Sequence, residues 1–290
     1  MAVPLVGRQF VVGFRPQTEW SGLIATAFFL GKLGAGLFMV SYVAGFPLGG
    51  WIGLLIAVVG KGAAHMLYLG RPERFWRVAA RPDRSWIARG MWATFILSVA
   101  GPLYLLGNAG IVVPSEGFLF GLLSVLAVLA AFVMMIYDGM VMSSSPSLAL
   151  WNTALMPVLN LFYALLGGLT MTSFLVHYTG VELPGLDLLS MMEIGVIALN
   201  LIIVVVYALT MFNATAAGQE AVRLLTRGRY SAWFFGGVVL VGLVASLALA
   251  LYFAATGSLA ALAWLAAADL VGHYLLFYLL LKAALFSPVM

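Results

Sequence analysis

The sequence predicts an all-α integral membrane protein: eight transmembrane helices in two packed helical bundles, with the N and C termini on the same side. Three observations point there. Of the 290 residues, 64% are apolar, against about 45–50% in an ordinary soluble domain. Charged residues make up only 8%, and the mean hydropathy is +1.10. The apolar residues are also gathered into eight continuous stretches, without the alternating dyad of a membrane barrel. A water-soluble core of this size could not hide so much apolar side chain, so soluble enzyme folds are excluded.

A spanning helix needs about 20 mainly apolar residues, because a rise of about 1.5 Å per residue must cover roughly 30 Å of hydrocarbon. On that criterion helices are expected at 20–44, 48–70, 90–113, 118–139, 152–178, 191–213, 232–256 and 258–286. The first follows a polar-flanked lead and has no small-residue cleavage site at its end, so it reads as a span and not as a secretory leader. The longest connections, 71–89 and 214–231, are too short for a soluble domain. The chain therefore reads as one transmembrane domain over residues 1–290, with no internal repeat of the kind that builds inverted-repeat transporters.

Eight spans return the chain to the side on which it began, here side A. That side receives Arg8, Arg15, Arg71, Arg74, Arg77, Arg81, Arg84, Arg89, Arg223, Arg227, Arg229 and Lys282, and side B receives no Lys or Arg. A wrong helix count would scramble this asymmetry. By the positive-inside rule side A is cytoplasmic, which predicts a multi-pass protein of the inner (cytoplasmic) membrane with both termini inside.

Cysteine is absent. That excludes disulfides, thiolate catalysis, Cys-ligated zinc and an iron–sulfur cluster held by this chain alone. With only three histidines, haem ligation is also disfavoured. His65 and His273 differ in depth by roughly 12 Å at 1.5 Å per residue, which does not suit one porphyrin. His177 falls at the side-B end of its helix and reads as interfacial. No haem and no metal are expected in this chain.

The chemistry candidates are ionisable residues inside the spans, where a charged group costs roughly 2.5–3.5 kcal/mol on insertion scales and so faces a partner or a wet cavity. Lys61, His65 and Tyr68 follow i, i+4, i+7 and share one helix face. Lys61 can snorkel and His65 can make a core hydrogen bond; alternatively the face lines a polar pocket open to side A, where a histidine exchanges protons. Asp269 and His273 form a second i, i+4 pair, and an Asp269–Lys32 or Asp269–Lys61 ion pair is expected, either as a packing device or as part of a proton relay. The connection 71–89 carries Arg71, Arg74, Arg77, Arg81, Arg84 and Arg89 among Trp, Phe and Pro. Arg77 and Arg81 are spaced as on a short interfacial helix beginning after Pro72. Such a segment anchors to anionic lipid headgroups or docks an acidic soluble subunit.

Leu69-Gly70-Arg71-Pro72-Glu73-Arg74-Phe75-Trp76, then Arg81-Pro82 and Ser85-Trp86-Ile87-Ala88-Arg89-Gly90-Met91-Trp92, resembles the polysulfide reductase membrane-subunit family (NrfD-like). Tyr137-Asp138-Gly139, followed by Leu150-Trp151-Asn152 and Pro157, is similar to that family's fourth-to-fifth helix connection. Glu19-Trp20 and Gly34-Ala35-Gly36 resemble the first helix of the related dimethyl sulfoxide reductase anchor. The resemblance covers most of the chain and is tightest at 69–92 and 137–157. Two departures stand out. Apolar residues near Ile24 and Ala27 occupy positions where some relatives carry Asn and His, and Tyr68 stands where the sulfoxide reductase anchors have His.

The resemblance implies a cofactor-free subunit that exchanges electrons with a quinone pool, menaquinone or ubiquinone being a bound substrate. Its partners would be a ferredoxin-like multi-cluster iron–sulfur subunit and a molybdopterin or tungstopterin catalytic subunit, with membrane lipid around it and no nucleic acid. Tyr137, His65, Tyr68, Glu19 and Asp138 are then expected at a quinone pocket on side A. Lys32, Lys61, Asp269, His273 and Glu193 would extend a proton path toward side B, and the arginines of 71–89 would receive the iron–sulfur partner. The alternative from another class is a multi-helix transporter or ion channel, motivated by the same intramembrane charges.

Overall fold

The computed structural model describes residues 13–287. Among the described residues eight helices are long and apolar enough to cross a membrane. They are α1 (Gly22–Ala44), α2 (Pro47–Tyr68), α3 (Trp86–Asn108), α4 (Phe118–Ser143), α5 (Leu155–Thr179) and α6 (Leu186–Ala214). After a short non-spanning helix α7 (Ala216–Thr226) come α8 (Trp233–Thr256) and α9 (Leu259–Lys282). The first helix is central, packing against α2, α4, α5 and α9. One buried cluster joins α1 to α2, α3 and α4 through Phe38, Leu54, Leu97 and Met134. A second joins α1 to α5, α6, α8 and α9 through Phe28, Tyr163, Tyr207, Val238 and Phe277.

Several helix ends differ from the sequence expectation, each for a local reason. The third helix starts at Trp86 and not at 90, because the Ser85 hydroxyl accepts from Ala88 N–H at 3.3 Å and caps it. Arg89 therefore belongs to the helix's first turn. The fourth runs past 139 to Ser143 because Met140-Val141-Met142 continues the apolar run, so Tyr137 and Asp138 sit within the helix. The sixth begins at Leu186 after Gly185 at φ 80°, with Asp187 in a first turn whose dipole favours it. Segment Pro72–Ala80 is a 3₁₀ helix with no buried residue. It stops before Arg81, so Arg77 and Arg81 are not on one continuous helix as expected.

Close backbone approach fixes α1 against α5. A methyl group on Gly168 would lie 3.0 Å from the Leu37 nitrogen and nearer still to the Gly36 carbonyl. In lipid, where no hydrophobic drive separates helix from solvent, such small-residue contacts supply the packing. Two spans also carry wider π-helical turns, Leu55–Gly60 in α2 and Trp233–Ala245 in α8. The first ends at Lys61, where α-helix resumes and sets the facing of Lys61, His65 and Tyr68.

At one end of the molecule β1 (Arg15–Pro16) pairs antiparallel with β2 (Leu285–Phe286). Leu148, in the α4–α5 connection, bridges Phe286. Gln17 binds this corner together, its side-chain amide donating to Trp20 O at 2.9 Å and Leu281 O at 3.2 Å. Both described ends thus meet at side A. Arg8 lies outside the described residues.

Candidate functional site

A cavity of 470 Å³ opens between α2 and α3 near side A, within the size range of small-molecule sites. Its inner wall is made by Trp20, Ile24, Phe28, Lys61, His65, Tyr68 and Tyr137, and its outer rim by Met66, Phe75, Val78, Ile87 and Phe95. The rim side chains are exposed, Phe95 at 58%; Met66, Ile87 and Phe95 stand on the lateral face of two spanning helices, and Phe75 and Val78 on the 3₁₀ segment. The mouth is therefore apolar and faces the hydrocarbon, with polar groups reserved for the interior. The 3₁₀ segment roofs the mouth. It is held by Trp92 Nε1–H donating to Ala79 O at 3.1 Å, and the turn that follows it by Arg89 donating to Pro82 O at 2.8 Å and Asp83 O at 3.1 Å.

Each polar wall residue has a defined constraint. His65 Nδ1 is 3.1 Å from Lys61 O; a carbonyl only accepts, so Nδ1 carries a proton, which in the neutral imidazole leaves Nε2 with its lone pair. The Tyr68 hydroxyl donates to Glu19 O at 3.3 Å. Tyr137 is buried, and its ring lies against Gly90, where a methyl group would come 2.6 Å from its Cγ. Lys61 Nζ stands 3.8 Å from the Tyr137 ring centroid and has no hydrogen-bond partner among the described residues.

Behind this wall runs a row of buried polar groups. Lys32 Nζ is 3.3 Å from Asp138 Oδ2, both side chains fully buried, and 3.6 Å from the Phe277 ring centroid. This corrects the expected pairing: the partner of Lys32 is Asp138 of α4, while both carboxylate oxygens of Asp269 lack a hydrogen-bond partner among the described residues. Asp269 instead neighbours Glu193 and the Thr170 hydroxyl, and Ser173 neighbours Glu193. His273 lies between, its ring 5.1 Å from those of Phe29 and Tyr163. From side A, counting about 1.5 Å per residue along each helix, Asp138 comes first, then Lys61, then His273 and Lys32 at nearly one depth, then Asp269, with Glu193 seven residues inside the side-B end of α6.

The structure thus brings Tyr137, His65, Tyr68 and Lys61 to one cavity and leaves two expected residues off its lining. Glu19 is exposed and reaches Tyr68 only through its backbone carbonyl. Asp138, one residue beyond Tyr137, lies off the lining with its carboxylate against Lys32 and beside the Tyr137 side chain. Arg71, Arg74, Arg77, Arg81 and Arg84 are exposed. Arg81 and Arg84 flank Asp83 at 3.2 and 3.3 Å, and the Arg81 hydrogen bond holds the Asp83 carboxyl below its usual range. His177 is half-buried, its ring 5.0 Å from Phe253. Sequence reasoning missed Tyr163, Thr170 and Ser173, whose signal was a polar residue recurring along α5 inside an apolar run. It also missed Gly90 as the seat of Tyr137. Leu150-Trp151-Asn152 proves to be a clamp: Trp151 donates to Leu280 O at 2.9 Å, Asn152 to Ser143 O at 2.6 Å, and Leu150 O accepts from Tyr207. Trp151 also stacks on Trp20 of the cavity wall at 5.2 Å.

Eight spans around a laterally open cavity define a multi-pass membrane protein with a built intramembrane site. The chain belongs to the polysulphide reductase NrfD family of redox-complex membrane subunits, whose family model matches residues 11–288. It is also 30% identical over 148 residues to a sulfite dehydrogenase subunit of Allochromatium vinosum, a match that covers 47% of this chain and 44% of the relative.

Proposed function

We propose that this chain is the quinone-reactive membrane subunit of an iron–sulfur/molybdopterin oxidoreductase, passing electrons between the quinone pool and a ferredoxin-like partner. The observation that carries the reading is the cavity between α2 and α3, apolar at its lateral mouth and lined inside by His65 and Tyr137. A quinone ring enters from lipid through an apolar portal. Once inside, each of its oxygens needs a hydrogen-bond donor, and a proton must arrive or leave with the electrons. The Tyr137 hydroxyl supplies a donor, and His65 Nε2 takes or returns a proton. The exposed arginines of 71–84, above the same mouth, suit an acidic iron–sulfur partner. The relative's name, a sulfite dehydrogenase subunit, supports the same assignment to a multi-subunit oxidoreductase.

The row from Lys61 to Glu193 supports a linked proton path from the cavity toward side B, because unpartnered titratable groups in a bilayer are costly unless used. The central test of the quinone reading is kinetic. Tyr137→Phe and His65→Ala should abolish quinone-coupled turnover of the complex and leave its activity with an artificial dye intact. Unchanged quinone kinetics in both variants defeat the reading.

A further inference from the structure

The last turn of α9 is tied down on side A by three bonds. Its final carbonyls each accept from a distant side chain: Leu280 O from Trp151 Nε1–H at 2.9 Å, Leu281 O from Gln17 at 3.2 Å, and Lys282 O from the Tyr230 hydroxyl at 3.4 Å. The third bond sets the start of α8 beside the end of α9 and makes neighbours of Arg229 and Lys282. The Arg229 guanidinium lies 4.6 Å from the Tyr230 ring centroid, and Lys282 Nζ lies 5.7 Å from that of Tyr278. Neither cation has an acidic partner among the described residues. Glu220 of α7 is 3.7 Å from Arg223 instead. Trp233 follows Arg229 by four residues at the head of the α8 span and is 60% exposed. Since α8 packs against α6, α7 and α9, this corner lies on a different face of the molecule from the cavity mouth between α2 and α3.

Two cations without acidic partners, beside an exposed tryptophan at the edge of a spanning helix, match the two halves of an anionic phospholipid. The phosphate accepts charge-assisted hydrogen bonds, in pairs from a guanidinium and singly from an ammonium. The acyl chains lie along the indole and the apolar face of α8, where a tryptophan sits at headgroup level. We propose that the side-A corner between α8 and α9 binds an anionic phospholipid of the phosphatidylglycerol type, with Arg229 and Lys282 on the phosphate and Trp233 against the glycerol and first methylenes. An acidic soluble protein would leave the exposed indole on the lipid side unmet, and free phosphate has no use for it. Lipid is therefore the occupant. The bound headgroup neutralises the two cations and steadies the corner where Trp151, stacked on Trp20 of the cavity wall, is anchored to Leu280.

The test titrates the purified full-length protein in neutral detergent with phosphatidylglycerol and with phosphatidylcholine of the same acyl chains, and reads retained lipid by native mass spectrometry. Inorganic phosphate, added as a competitor, is the third probe. The wild type should hold phosphatidylglycerol about 25-fold more tightly than phosphatidylcholine, or about 5-fold for each cation near an anionic headgroup. Arg229→Gln and Lys282→Gln should each remove about 5-fold of that preference and together nearly all of it, with phosphatidylcholine unchanged. Trp233→Ala should weaken both lipids alike, and inorganic phosphate should displace neither. A wild type that holds the two lipids equally overturns the site, and so does a preference that survives in the double variant. Displacement of phosphatidylglycerol by inorganic phosphate at equal concentration overturns the choice of lipid over the free anion. The wild-type comparison needs no substitution, so the proposal stays exposed even if a variant fails to fold.

Discussion

Lys32 of α1 and Asp138 of α4 form an ion pair at 3.3 Å with neither side chain exposed. Their positions are 106 residues apart in the chain, so the pair closes one of the long contacts that join the first helix to the fourth. Removing one partner leaves an uncompensated buried charge, which costs about 3–5 kcal/mol, whereas replacing both by apolar residues of similar volume is close to neutral. Lys32→Met and Asp138→Leu should therefore each lower the thermal unfolding midpoint of the purified protein markedly. The double variant should recover most of the loss. Additive losses in the double variant would mean that the two residues act separately.

The Tyr137 ring depends on a missing side chain. A Cβ at Gly90 would come 2.6 Å from Tyr137 Cγ, closer than real carbon contacts allow, so the ring must shift or rotate. Gly90→Ala should cut quinone-coupled turnover by about 10-fold to 100-fold, the usual effect of misplacing a catalytic group by about an ångström. Dye-linked activity and co-purification with partner subunits should persist. Equal loss of both activities would show that the substitution damages the fold and not the site.

The eight spans were legible because apolar length alone decides whether a segment crosses a bilayer, and no packing detail is needed to count them. The shared face of Lys61, His65 and Tyr68 was legible too, since their spacing fits α-helix and the π-helical turn of α2 ends just before them. The partner of Lys32 was not. Its choice between Asp138 and Asp269 depends on how α4 and α9 are rotated about α1, and that is set by packing between helices and not by local sequence. The direction of Asp138 is hidden for a related reason. Neighbouring residues on a helix point about 100° apart, so with Tyr137 on the cavity wall Asp138 falls to its side, toward Lys32. The start of α3 is hidden because the charge of Arg89 masks a helix that the Ser85 cap begins one turn earlier.

The Glu193–Asp269 neighbourhood bears on proton movement. Two carboxyl groups near each other in a bilayer cannot both ionise cheaply, and Thr170 and Ser173 stand beside them without other partners among the described residues. Keeping one of the two protonated is the simplest resolution. Asp269→Asn should abolish proton uptake by proteoliposomes during quinone-coupled turnover while electron transfer to the quinone continues. Unaltered uptake would return Asp269 and His273 to a packing role.

Orientation is the remaining expectation, and it follows from charge. The connections on side B, 45–46, 109–117, 180–185 and 257–258, contain no Lys or Arg. The basic residues fall instead on side A, where β1 and β2 bring the two described ends together. An acidic partner docking on 71–84 would also select for arginine there and could imitate a topology signal. It would not account for Arg223, Arg227, Arg229 and Lys282, which come from separate segments near α7 and the end of α9. Loops this short are where the positive-inside rule is strongest. Side A, with the cavity mouth and the exposed arginines of 71–84, is therefore expected to be cytoplasmic. A C-terminal fusion to a reporter that is active only after export should be silent, and a fusion in the 109–117 connection should be active. The reverse pattern would place side A, and the partner with it, outside the cytoplasm.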